Sequence, residues 1–214
     1  SPVFSSAGNT SPIDENSGSN QVIYTATTTD ESPVSYSLKS KNNDDAKSFL
    51  INSKTGQIFL RDNPDYETQS TYSFTVIAKD AAGNSTEQPV VLALSDVNEH
   101  PTALSLNNTL TSLPENSSTD SRIKLADVAI TDDNLGTNEF ALAGPDASSF
   151  ELDGNALFLK ANTALDFETQ AAYSISLTAT DPALTGTTPV AAAFSLALSD
   201  VNEHPTALSL NNTL

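Results

Sequence analysis

The 214-residue chain carries 27 Asp and Glu against 9 Lys and Arg, a formal charge of −18; this excess repels the phosphates of nucleic acid and of anionic lipid, leaving cations as natural partners. It has no Cys, which excludes disulfides, thiolate metal sites and cysteine nucleophiles. No apolar run approaches the ~20 residues that cross a bilayer, so direct membrane insertion is not expected, and the length fits two sandwich domains of roughly 100 residues each.

Short strands separated by Gly, Pro, Asn and Asp clusters are predicted along the chain. After the acidic motif at Glu15, the first half offers strands at Val22–Thr27, Val34–Leu38, Phe49–Asn52 and Gln57–Leu60, with Asp30 between the first two. Asp65 and Glu67 in DYE follow. In Tyr72–Lys79, Tyr72, Phe74, Val76 and Ala78 alternate with Ser73, Thr75, Ile77 and Lys79, the period of 2 of a half-buried strand. Asp80 comes next, then a closing strand marked by Val90, Leu92 and Leu94, then Asp96, Val97, Asn98 and Glu99 in DVNEHP.

The second half repeats the order. Its acidic positions are Glu115, Asp132 with Asp133 and Asn134, Asp166 with Glu168, Asp181, and Asp200 with Asn202 and Glu203. Tyr173, Ile175, Leu177 and Ala179 alternate as their counterparts do, and Phe194, Leu196 and Leu198 mark the closing strand. The stretch LALSDVNEHPTALSLNNTL occurs letter for letter at Leu92–Leu110 and Leu196–Leu214, 104 residues apart, which establishes a domain-sized repeat. The expected architecture is all-β: two tandem seven-stranded Greek-key β-sandwiches over 1–100 and 101–205, with 206–214 opening a following repeat. The chain thus reads as part of something larger.

If alternate loops of such a sandwich lie at one end, the DEN, DYE and DVNE motifs converge at the exit of the first unit, and Asp132–Asn134 with Asp181 cap the entrance of the second. Glu15, Asp65, Glu67, Asp96, Glu99, Asp132 and Asp181 then crowd one joint. Like charges a few ångströms apart repel by about 4 kcal/mol per pair at an effective dielectric near 20, so either the loops splay or cations sit among them. Carboxylates, an amide oxygen and carbonyls suit a hard cation of high coordination number. Calcium (Ca2+) accepts about 6–8 such oxygens, whereas magnesium demands a tighter octahedron. In an extended segment Asp96 and Asn98 point to one side and the Val97 carbonyl is left for another ion.

These motifs together resemble the cadherin repeat family over nearly the whole chain. DEN and LPEN resemble its PEN-type glutamate motif, FLINSKTGQIFL its strand–turn–strand signature, DYE and LDFE its LDRE motif, AKDAAG and ATDPAL its A-x-D-x-x-G loop, and DVNEHP, one residue shorter, its DxNDNxP linker. The resemblance implies three calcium ions per joint. Glu15, Asp65, Glu67, Asp96, the Val97 carbonyl, Asn98 and Glu99 would serve from the first unit, and Asp132, Asn134, the backbone near Asn138 and Asp181 from the second. It further implies a second exit set of Glu115, Asp166, Glu168, Asp200, Asn202 and Glu203. The wording of the motifs is closer to repeats of large bacterial surface and secreted proteins than to animal adhesion receptors. The strand exchange of classical cadherins needs an N-terminal Trp, and this chain has no Trp.

The function expected is a calcium-rigidified adhesion or extender module of a cell-surface or secreted protein, with other cadherin-like repeats or cell-surface carbohydrate as partners. The alternative is an accessory carbohydrate-binding module of a secreted polysaccharide-degrading enzyme, which would show exposed aromatic platforms. An enzyme is not expected: His100 and His204 precede prolines in extended linkers, no strained nucleophile turn accompanies them, and duplicated acid pairs fit structure better than one active site.

Overall fold

The computed structural model describes residues 1–40, 45–186 and 188–204; the expected start of a following repeat at 206–214 lies outside them. The chain forms two compact units, Ser1–Val97 and a second that begins at Asn98. That division falls slightly before the boundary expected after His100, because Asn98 and Glu99 hydrogen-bond into the second unit, to Asp181 and Asp133.

In the first unit β1 (Val3–Phe4), β2 (Ile13–Asp14), β3 (Val22–Thr25), β4 (Thr28–Thr29), β5 (Val34–Leu38), β6 (Phe49–Ile51), β7 (Gln57–Leu60), β8 (Thr71–Asp80) and β9 (Ser85–Ser95) follow one another. They form sheets ordered β2-β9-β8-β5 and β3-β7-β6, with β1 paired to β4. The second unit holds β10 (Ala103–Asn107), β11 (Ser112–Pro114), β12 (Ile123–Thr131), β13 (Glu139–Ala143), β14 (Phe150–Asp153), β15 (Ala156–Leu159), β16 (Ala172–Thr180) and β17 (Val190–Ser199). Its sheets are β10-β12-β15-β14 and β11-β17-β16-β13. One 3-10 turn precedes β6 and another precedes β14.

The connectivity is not the simple alternation that the loop-convergence argument used. β2 pairs with β9 in parallel, and β11 with β17 likewise, which a purely up-and-down order of antiparallel neighbours cannot give. The second unit splits its first strand between the two sheets: β10 pairs with β12 and the chain then crosses to β11, with Asn108 at φ 49°. Counting that split strand as one gives the second unit the seven strands expected of a Greek-key sandwich, and the first reaches seven when β1 with β2, and β3 with β4, are each counted as one.

The alternating side chains fill the space between the sheets, as period 2 requires. Phe74, Val76 and Ala78 of β8 are buried, as are Tyr173, Ile175, Leu177 and Ala179 of β16. Phe49 meets Phe74 at a ring separation of 4.3 Å, and Phe150 meets Phe194 edge-on at 6.2 Å. Two predicted strands end early for local reasons. The Asn52 side chain accepts hydrogen bonds from the Lys54 and Thr55 amides, turning the chain after Ile51. The strand from Val22 stops at Thr25, where Gly56, at φ +72°, comes so close that a Cβ there would lie 2.3 Å from the Ala26 carbonyl oxygen.

Candidate metal centre

At the exit end of the first unit, Glu15 follows β2 and is 2% exposed. Its side chain reaches there because Ile13 and Asp14 pair with Leu94 and Ser95 at the end of β9. The carboxylate is held by two backbone donors, the Tyr66 amide at 2.6 Å and the Val97 amide at 2.8 Å. One side chain therefore ties the DYE loop and the outgoing linker to the sheet. Each carboxylate oxygen has two lone pairs, so this still leaves acceptor capacity for a cation.

Oxygens of Glu15, Glu67 and Asp96 lie within 4.8 Å of one another. The second unit repeats the arrangement: Glu115, 5% exposed, accepts from the Phe167 amide at 2.7 Å and the Val201 amide at 2.6 Å. Its oxygens gather with those of Asp166 and Glu168 within the same distance. Although a hydrogen bond from its own amide lowers it, Glu168 has its pKa raised overall, by desolvation and by the charges of Glu115, Asp200 and Glu203. Asp200, Asn202 and Glu203 are exposed.

Asp65 and Asp166 are turn formers first. Each accepts a hydrogen bond from an amide and a hydroxyl three residues on, Thr68 for one and Thr169 for the other, and these bonds lower the Asp166 pKa. Asp65 is not among the three clustered carboxylates of its unit, whereas Asp166 is among those of the second.

Asn98 and Glu99, expected to serve from the first unit, hydrogen-bond to acidic side chains of the second. The Asn98 amide donates to Asp181 at 2.8 Å and the Glu99 backbone N–H donates to Asp133 at 2.6 Å. Asp181, 2% exposed, also accepts from the Ala183 amide. The Asn138 side chain donates to Asp132 at 2.6 Å. Asn134 is exposed with φ 67°.

The fit to a cation can be tested on this entrance set. Asn98 Oδ1, Asp132 Oδ1 and Asn138 Oδ1 are buried with no hydrogen-bond partner. Buried acceptors without donors are costly, and a hard cation supplies what they lack. A donor set of oxygens alone suits calcium. Gly136 was missed in the sequence: at φ +64°, a Cβ there would lie 2.2 Å from Asp181 Oδ2 and 2.6 Å from Asn98 Oδ1. Its signal was a glycine inside a run of Asp and Asn, where φ > 0 is common.

Comparison with known proteins gives the chain its relatives. The family model described as Cadherin domain matches residues 9–95. Human Protocadherin beta-1 is 27% identical across 95% of this chain and 26% of its own length, and human Protocadherin Fat 4 is 35% identical across 73% of this chain and 3% of its own. The chain thus spans about a quarter or less of these relatives. Protocadherin Gamma B2 extracellular cadherin domains 3-6 superpose with a TM-score of 0.72 at 23% identity, covering 94% of this chain and 48% of that one.

Two β-sandwiches, each with a buried glutamate and carboxylates gathered beside the end of its closing strand, define a tandem β-sandwich protein. This chain is a tandem pair of cadherin repeats.

Proposed function

We propose that the chain is a calcium-binding adhesion or extender module whose ions stiffen the connection between successive repeats, with other cadherin-type repeats as its partners. The observation that carries this reading is the set of buried, donorless oxygens on Asn98, Asp132 and Asn138. The carboxylates of Glu15, Glu67 and Asp96 supply charge. The exit and entrance sets are joined by a single peptide bond: the Val97 amide binds Glu15, and the side chain of the next residue binds Asp181. Ions shared by the two sets would therefore fix the backbone at that bond, with Asp65, Glu99 and Asn134 as outer ligands or supports. The second exit set, Glu115, Asp166, Glu168, Asp200, Asn202 and Glu203, would serve the same purpose toward a further repeat.

Calcium is expected to raise the melting temperature by linkage, by about 2.7 kcal/mol of stability at a hundredfold excess over Kd. Magnesium at the same concentration should do much less. Small-angle scattering with calcium and with chelator reads the stiffening as a larger maximum dimension in calcium. Equal stabilisation by both ions, or an unchanged dimension, would reduce the effect to general screening.

A further inference from the structure

The two repeats share one topology, so each position in one has a counterpart in the other, and their outer faces differ on the β3-β7-β6 sheet. Register sets Val22 and Leu50 on either side of Phe59. Val22 is 47% and Leu50 40% exposed, while Ile58 and Leu60, flanking Phe59 in β7, are buried in the core. In the second repeat the same row reads Lys124, Phe158 and Glu151. There Arg122 covers the Phe158 ring at 4.2 Å from its centroid and pairs with Glu151 and Asp153. The first repeat leaves an apolar row where the second has a charged and covered one.

Beside this row a groove of about 400 Å³ opens between the edge strands β5 and β6, with Leu38, Leu50, Lys47 and Arg61 in its lining. Arg61 Nε donates to the Phe49 carbonyl at 3.2 Å. Lys47 and Arg61 are exposed, and among the described residues neither enters an ion pair. That is notable where acids outnumber bases three to one. An apolar row rimmed by cations fits an acidic partner surface.

We propose that this face of the first repeat, Val22–Phe59–Leu50 with Lys47 and Arg61 at its rim, docks the acidic second repeat of another copy of the chain. Charge decides the pairing. Two such faces set against each other would oppose cation to cation, which disfavours a self-complementary contact. The second repeat, with fifteen Asp and Glu against three Lys and Arg from Asn98 onward, is complementary; the first carries twelve against six. The contact is therefore heterologous, head to tail. It rests on the reading of the chain as an adhesion module and names the surface used.

The test is sedimentation velocity of the whole 214-residue chain in calcium over a range of concentration and salt, beside Leu50→Glu, Val22→Lys and Lys47→Glu with Arg61→Glu. The first two place in repeat one what repeat two already carries in the same register, so folding is preserved, and an unchanged calcium-induced thermal shift confirms it. Wild type should self-associate, more weakly as salt rises, and each variant should weaken association by about tenfold or more. A chain monomeric at every concentration, or variants that associate like wild type, would overturn the proposal. So would association strengthened by Lys47→Glu with Arg61→Glu but lost in Leu50→Glu, which marks the face as pairing with itself. Absence of a calcium shift in wild type would count against the calcium reading alone, since association is measured separately.

Discussion

Glu15→Ala is expected to abolish calcium binding at the set formed with Glu67 and Asp96 while leaving the set around Glu115 intact. The substitution removes the acceptor of the Tyr66 and Val97 amides, and a buried amide left without a partner costs about 1–3 kcal/mol. In chelator that loss is partly offset, because Glu67 and Asp96 are relieved of a like charge within 4.8 Å. In calcium there is no such relief: the repulsion is already neutralised by the ion, and the binding free energy goes with the site. The variant should therefore unfold below wild type in chelator and further below it in calcium, the added difference being about 2.7 kcal/mol at a hundredfold excess of ion. Urea unfolding in both conditions, with calorimetric titration, measures it. Undiminished calcium binding in Glu15→Ala would remove Glu15 from the site. Glu115→Ala is the matched control and should spare the set around Glu15.

The second large effect belongs to a residue with no side chain. Gly136→Ala sets a methyl group 2.2 Å from Asp181 Oδ2 and 2.6 Å from Asn98 Oδ1, closer than any real Cβ contact, and so must displace both. It also forces a non-glycine residue into left-handed backbone, which costs about 1–2 kcal/mol. The two costs separate through Gly154→Ala, since Gly154 has φ +53° with nothing within 4 Å of its would-be Cβ. That control should lose about 1 kcal/mol of stability and no calcium affinity. Gly136→Ala should lose more stability and at least about a hundredfold in affinity, the equivalent of about 2.7 kcal/mol of ion binding. If both variants bind calcium equally well, Gly136 is only a turn residue.

Much of this was legible because strand alternation depends on nearest neighbours: Phe74, Val76 and Ala78 announce their burial in a window of a few residues. The acidic motifs were legible for the same reason. Their division between the units was not, since nothing local to DVNEHP says that the Val97 amide turns to Glu15 and the Asn98 side chain to Asp181. Those bonds span more than 80 positions in the chain. Asp65 was readable in another way: an Asp with Thr three residues later is a turn signature, and the carboxylate is committed to Thr68 before any ion. Phe59, flanked by Val22 and Leu50, and Phe158, covered by Arg122, differ only through residues on neighbouring strands, beyond the reach of a one-dimensional pattern.

The parallel pairing of β2 with β9 and of β11 with β17 has a mechanical meaning in a chain of repeats. Tension enters a repeat near its first strand and leaves by its last. Because these strands run side by side in the same direction, opposite pulls slide one along the other. The hydrogen bonds between them are then loaded together in shear, not peeled open one by one. Glu15 and Glu115 sit at the ends of these pairs, each bonded to the outgoing strand or linker, so in such an array they would bear load where the chain leaves each repeat.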